Sequence, residues 1–289
     1  MRISTQWLFR GAIRDMEGSL QRAAEAQEIA SSGRRVRSVA DDPSVAGRIL
    51  RMDNQLRDAD QFRRNGVLAT TRLEVEDQVI TTVRKLVSQA RDLALTNSTR
   101  DPSDPLRAAA AVQVAQLRDQ IMGLANTRVG NAYIFAGGES TSPAFQAGGT
   151  YAGNSLAIEV ELDDGVKLSV NHTGDQIFSG LLDALGQLSA GLVGGSASGP
   201  LMAISDTIGT ADQKLLVAQT EVGSRMLEVK NVGEDLARRS ANLLDQRSTL
   251  RDADPTEAMV QLNAAQTALE RAYAAVGKIL SVSLVDYLR

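Results

Sequence analysis

Apolar side chains recur at alternating three- and four-residue steps near the start of the chain. Ile13, Met16, Leu20, Ala23 and Ala30 form the stripe, and polar Gln27 fills its remaining position. Such spacing marks the face of a helix that packs along another helix. The stripe stops at Gly33, where "SSGRRVRSVADDPSVAGRIL" interrupts it with a glycine, a cluster of arginines and then Asp41-Asp42-Pro43. Asp42 predicts an N-cap, and Pro43 stands at the first helical position, where a missing N–H costs nothing. The interruption reads as one helix ending and a second beginning.

The second helix is predicted from Pro43 to about Leu95. It carries Ile49, Met52, Leu56 and Ala59, then a polar patch from Arg63 to Gly66, then Val79, Val83, Leu86, Ala90 and Leu93. If continuous it extends roughly 80 Å at 1.5 Å per residue, which predicts an elongated rod. Asp104 and Pro105 open a third helix with the seam Ala110, Val114, Leu117, Ile121 and Leu124, expected to fold back on the second. Periodicity then changes to two. Leu156, Ile158, Val160 and Leu162 precede "DDG" at 163–165, and Val166, Leu168 and Val170 follow it, the pattern of a β-hairpin. Glycine-rich flanks set this hairpin apart as a small insert, expected to be removable at 151–172 without loss of the helices.

Phe178, Leu181, Leu182, Leu185 and Leu188 predict a short helix, and "SAGLVGGSASGP" at 189–200 a flexible loop. Another long helix follows, with Ile204, Ile208, Ala211, Leu215, Ala218 and Val222 in heptad spacing, ending near Leu250. At "DPTE", Asp254 caps, Pro255 takes the first position and Glu257 completes a capping box. The last helix carries Ala258, Leu262, Ala265, Leu269, Ala272, Val276 and Ile279 on one seam. The fold class is therefore mainly α, an elongated helical rod of long antiparallel coiled-coil helices whose terminal helices pair, with a small β-rich insert. Five segments follow: assembly segments at 1–40 and 253–289, rod halves at 41–135 and 177–252, and the insert at 136–176.

Composition changes this picture mainly by exclusion. An aromatic content of 3% leaves few bulky anchors, so the helices must pack through small aliphatic side chains. A net charge of −4 supplies no concentrated basic surface for nucleic acid or an anionic membrane. There is no cysteine and one histidine, His172, so thiolate and clustered imidazole metal sites are excluded. No cofactor is implied. Arg10, Arg14 and Asp15 break the apolar run that a cleavable signal peptide needs.

Both ends of the chain are amphipathic helices set off by an Asp-Pro restart, and isolated helices are marginal in water. They need each other and neighbouring subunits. Ile13, Met16, Leu20, Leu262, Leu269, Tyr273, Val276, Ile279, Leu280, Leu284 and Leu288 are therefore the candidate assembly interface. Gly33, Arg34, Arg35, Asp41, Asp42, Pro43, Asp254 and Pro255 form the boundaries. Arg34, Arg35 and Arg37 are candidates for contacts with an adjacent subunit, although a charge run beside a glycine is more often solvated. Asp42 and Asp254 read as caps rather than acid–base groups, and His172 as structural or exposed. No nucleophile, base and electrophile converge, so an enzyme is not expected.

Five stretches carry a family resemblance: "MRIST" at 1–5, "SSGRRVRSVADDPSVA" at 31–46, "QFRRNGVLATTRLEVED" at 61–77, "LANTRVGNAYIFAGGESTSPAF" at 124–145 and "SVSLVDYL" at 281–288. In order and spacing the chain resembles the flagellin superfamily. It departs from true flagellins at Asp41-Asp42-Pro43, where they read Asp-Asp-Ala-Ala-Gly, and at the end, where "VDYLR" replaces Leu-Leu-Arg. The resemblance implies an exported structural subunit at the hook–filament junction of a bacterial flagellum, forming a ring with its terminal helices lining the inner tube. Implied partners are hook-associated protein 1, flagellin and a cytoplasmic export chaperone that holds the C-terminal segment. Location is then extracellular, reached by the flagellar type III route without a cleaved signal. A short flagellin that forms the filament itself is the alternative. An intracellular helical signalling module shares the heptads but has no use for the insert or the paired breaks.

Overall fold

The computed structural model describes residues 2–287, with the side chains at 2–6, 8 and 280–287 outside that description. Helix α1 spans Arg2–Ser32, α2 Pro43–Ser98 and α3 Pro105–Ala125. Four short strands follow: β1 Arg128–Val129, β2 Ala132–Tyr133, β3 Glu159–Asp163 and β4 Val166–Ser169. A π-helical turn at Asp175–Ser179 leads into α4 Gly180–Val193, then α5 Ser198–Arg251 and α6 Pro255–Tyr287. The fold is mainly α with a small β element, as the periodicities predict. Among the described residues, no helix is long and apolar enough to cross a membrane.

The chain divides into two compact units, one holding residues up to Arg57 and from Arg239 onward, the other Asp58–Arg238. In the second unit, Ala69, Leu73, Ile80, Val83, Val87 and Ala90 of α2 share one apolar core with Val114 and Ile121 of α3, Leu181 and Leu185 of α4, and Ile208, Leu215 and Val222 of α5. Helix α3 packs on α4. A polar lattice ties α2 to α5: Gln219 donates to Asp77 at 3.1 Å and to Thr81 at 2.8 Å, and Arg84 donates to Asp212 at 3.0 Å. Asp104 caps α3 by accepting the Leu106 N–H at 2.9 Å.

The scarce aromatics are concentrated. Phe135, Phe145 and Phe178, three of the five phenylalanines, meet in edge-to-face contacts at 4.9 and 6.3 Å, and Tyr151 joins Phe145 at 5.3 Å. One cluster thus supplies the bulky anchor that the helical seams lack. Beside it, Gly137 has φ +66°, and a Cβ there would lie 2.1 Å from Asn154 O, so no larger residue fits.

Three expectations are corrected. The β-structure begins before residue 136, because Arg128–Val129 pairs antiparallel with Ala132–Tyr133 in strands too short to show a period. The hairpin is narrower than its alternation: β3 starts at Glu159, Leu156 is 65% exposed, and Val160 pairs with Leu168. It is also no detachable insert, since Leu162, Leu168 and Val170 are buried in the common core. The stretch at 189–200 is the end of α4, a four-residue connection at 194–197 and the start of α5. Buried Arg107 donates to Ser196 O at 2.6 Å and Ser198 donates to Ser98 O at 2.5 Å, so packing overrides the glycine-rich composition.

Candidate assembly interface

Helices α1 and α6 pack against each other in the first unit. On α1 the buried positions are Ser19, Ala23 and Ala26, with Ile13, Met16 and Ala30 half-buried. Leu20, expected on this seam, is 49% exposed, and Gln27 is exposed. Small residues take the contact because they let two helix backbones approach, so Ser19 and Ala26 displace the bulkier positions beside them. On α6, Ala258 is buried, while Leu262, Ala265, Leu269, Ala272, Val276 and Ile279 are half-buried. Tyr273 is 51% exposed, as is Met259 at 52%; they stand fourteen positions apart, close to four turns, on one face. Trp7 is 71% exposed. The side chains of Leu280, Leu284 and Leu288 lie outside the described residues.

The two Asp-Pro breaks are docked on each other. Gly33 ends α1 in the left-handed region, φ +65°, and its N–H donates to Ile29 O at 2.9 Å, the usual glycine stop. Its carbonyl then accepts the Ala253 N–H at 2.9 Å, and Arg35 N–H donates to Arg251 O at 2.7 Å. Arg34 and Asp252 form an isolated antiparallel bridge, and the Arg35 guanidinium donates to Leu250 O at 2.9 Å. Val36, Ala46 and Ile49 form a small buried cluster with Leu250 packed against it. Arg247 on α5 pairs with Asp53 on α2 at 2.8 Å.

Each break uses two aspartates. Asp42 accepts the Ser44 and Val45 N–H groups at 3.1 and 3.0 Å, and Asp254 accepts Thr256 at 2.7 Å and Glu257 at 3.3 Å, so both cap the helix that follows. Pro43 and Pro255 are the first residues of those helices. The second aspartate folds back. Asp41 accepts the Arg37 and Ser38 N–H groups at 2.9 and 2.8 Å, and Asp252 takes Ser248 Oγ–H at 2.7 Å and Arg251 Nε–H at 2.8 Å. Backbone donors, Arg37 first, hold the Asp41 carboxyl below its ordinary range, and those of Thr256 and Glu257 do the same to Asp254. The Arg37 guanidinium pairs with Glu28, which raises its pKa.

The guanidinium groups of Arg35 and Arg37 thus have partners within the chain, and Arg34 contributes a backbone bridge to Asp252, where the sequence weighs solvent against an adjacent subunit. Leu250, Arg251 and Asp252 were missed as boundary residues. The signal available was the near-repeat of "ADDP" at 40–43 and "DADP" at 252–255. His172 is buried between Glu76 and Glu221. Chemically, the arrangement offers apolar helix surface and a hydrogen-bonded junction between the two breaks.

Comparison with known proteins agrees with this architecture at both ends. The family model for the bacterial flagellin N-terminal helical region matches residues 3–140, and that for the bacterial flagellin C-terminal helical region matches residues 205–288. The chain is 27% identical to flagellar hook-associated protein 3 of Escherichia coli over 316 aligned positions, covering 98% of each protein. The crystal structure of FlgL from Bacillus cereus superposes with a TM-score of 0.61 at 22% identity, over 68% of this chain and 99% of that one. The flagellar junction protein FlgL of Legionella pneumophila gives a TM-score of 0.56 at 14% identity, over 72% of this chain and all of that one.

Proposed function

The chain belongs to the flagellin superfamily, and from that membership we propose that it joins the hook to the filament of a bacterial flagellum, as a structural subunit rather than an enzyme. The likeness to hook-associated protein 3 over nearly the whole of both chains supports this reading over that of a short filament flagellin. One observation carries the mechanism. Helix α6 has a continuous apolar seam, yet Ala258 is its one fully buried member among the described side chains. A contiguous apolar face left half-open in a single chain is a binding surface.

Copies of the chain close that face by assembling into a ring through segments 1–40 and 253–289. Hook-associated protein 1 meets the ring on the hook side and flagellin on the filament side. Before export by the flagellar type III route, a cytoplasmic chaperone covers the same seam. Gene deletion followed by electron microscopy tests this: hooks should lack filaments while flagellin accumulates in the medium. Normal filaments on the deletion strain would refute it, and long filaments grown from the purified chain alone would favour the filament-subunit reading.

A further inference from the structure

The only histidine of the chain sits at a crossing of three elements. His172 follows β4 in the buried run 170–174. From α2, Glu76 is 1% exposed; its Oε1 lies 2.6 Å from His172 Nδ1 and accepts the His172 backbone N–H at 3.2 Å. From α5, Glu221 Oε2 lies 2.9 Å from Nε2. Arg225, one turn along α5, donates to Glu221 and to Asn171 O, each at 3.4 Å. Arg72, one turn before Glu76 and within its electrostatic reach, donates to Ile134 O at 3.3 Å. Asp175, on the histidine's own segment, is exposed and accepts the Ser179 hydroxyl at 3.1 Å.

A carboxylate only accepts, and a neutral imidazole has one donor. Both contacts are therefore made together when both ring nitrogens carry protons. Removing one proton sets a bare nitrogen lone pair against a carboxylate oxygen. Burial decides which side opens. The Glu76 side chain is 2% exposed and also holds a backbone N–H, whereas that of Glu221 is 52% exposed, with water and Arg225 at 3.4 Å as alternative partners. Of the flanking residues, Asn171 Oδ1 accepts the Ile158 N–H at 2.7 Å, while Asn171 Nδ2 and Thr173 Oγ1 are buried without hydrogen-bond partners. Val170 N–H donates to Ile158 O at 2.9 Å and Gly174 N–H to Phe135 O at 2.8 Å, and the charged hydrogen bonds at His172 add side-chain ties to α2 and α5.

We propose that His172 is a protonation-dependent latch that binds the segment after the β3–β4 hairpin to both α2 and α5 as imidazolium, and gives up its bond to Glu221 of α5 when neutral, loosening that side. Burial alone would push the imidazole pKa down, but its hydrogen bond and charge interaction with Glu76, then the bond to Glu221, outweigh burial and leave it raised. The same ring bond holds Glu221 below its ordinary range. With the folded-state value above the ordinary imidazole pKa of about 6.5, the latch contributes fully below that pH and is lost as pH rises through the folded-state value.

The test uses the full-length chain. The ring Cε1–H resonance of this lone histidine, followed by NMR from pH 5 to 9, should titrate with a midpoint above 6.5, and the midpoint should fall in Glu221→Gln. Amide exchange across 158–174, corrected for its intrinsic pH dependence, should lose several-fold protection as pH crosses that midpoint. The same step should shift with the midpoint in Glu221→Gln and vanish in His172→Gln. A midpoint at or below 6.5, one unmoved by Glu221→Gln, or protection that follows no titration would overturn the latch.

Discussion

Replacing Gly33 by Ala isolates what holds the two breaks together. Gly33 has φ +65°, and a Cβ built on it meets nothing within 4 Å, so the substitution adds backbone strain without a clash. An L-residue in the left-handed helical region costs roughly 1–2 kcal/mol. The Gly33 carbonyl accepts the Ala253 N–H, and Arg35 and Val36 N–H groups donate to Arg251 O, so strain at Gly33 falls on the hydrogen bonds that dock residues 33–36 on 251–253. Where amide exchange reports the opening equilibrium, a cost of about 1–2 kcal/mol corresponds to roughly 5- to 30-fold faster exchange at Arg35, Val36 and Ala253, since about 1.36 kcal/mol is tenfold. Gly33→Asn should accelerate exchange less, because Asn tolerates that backbone region. Unchanged protection in Gly33→Ala, or equal loss in both variants, would refute the docking argument.

The remaining predictions concern the two units separately. Phe178→Ala removes the centre of the aromatic cluster and should destabilise the Asp58–Arg238 unit by about 3–5 kcal/mol, read by denaturant melts, with Phe178→Leu costing clearly less. Excision of 151–172 removes Leu162, Leu168 and Val170 from the core and should broaden or abolish the cooperative helical melt; an unchanged melt would show that the β element packs independently. In dilute monomer, limited proteolysis should cut before about residue 40 and after about residue 252 sooner than within Asp58–Arg238, because so little of the α6 seam is fully buried.

The starts of α2, α3 and α6 were legible because each rests on local chemistry: Asp42, Asp104 and Asp254 bond N–H groups two or three residues onward, and a proline follows each. The hairpin turn at 163–165 was legible for the same reason. The α6 seam emerged from spacing, since one heptad face meets one partner helix. What failed depends on distance in sequence or on size. Leu20 matched the α1 pattern better than Ser19, but closeness of approach favours the smaller side chain, and no periodicity encodes that. The bond from Ala253 to Gly33 joins residues 220 positions apart, and Glu76 and Glu221 reach His172 from separate helices. Neither has a local signature. The β1–β2 pair is two residues per strand, below any readable period.

The central claim is that the half-open α6 seam is the assembly surface, and the most direct measurement is complementation of a deletion strain with Leu269→Asp/Val276→Asp. A carboxylate buried without a partner is strongly unfavourable, so cells should carry bare hooks and release flagellin. The purified double variant should keep the melt of the Asp58–Arg238 unit, to which neither residue belongs. Chaperone pull-down from the same strain should weaken in parallel. Filaments of normal number and length on those hooks would contradict the account.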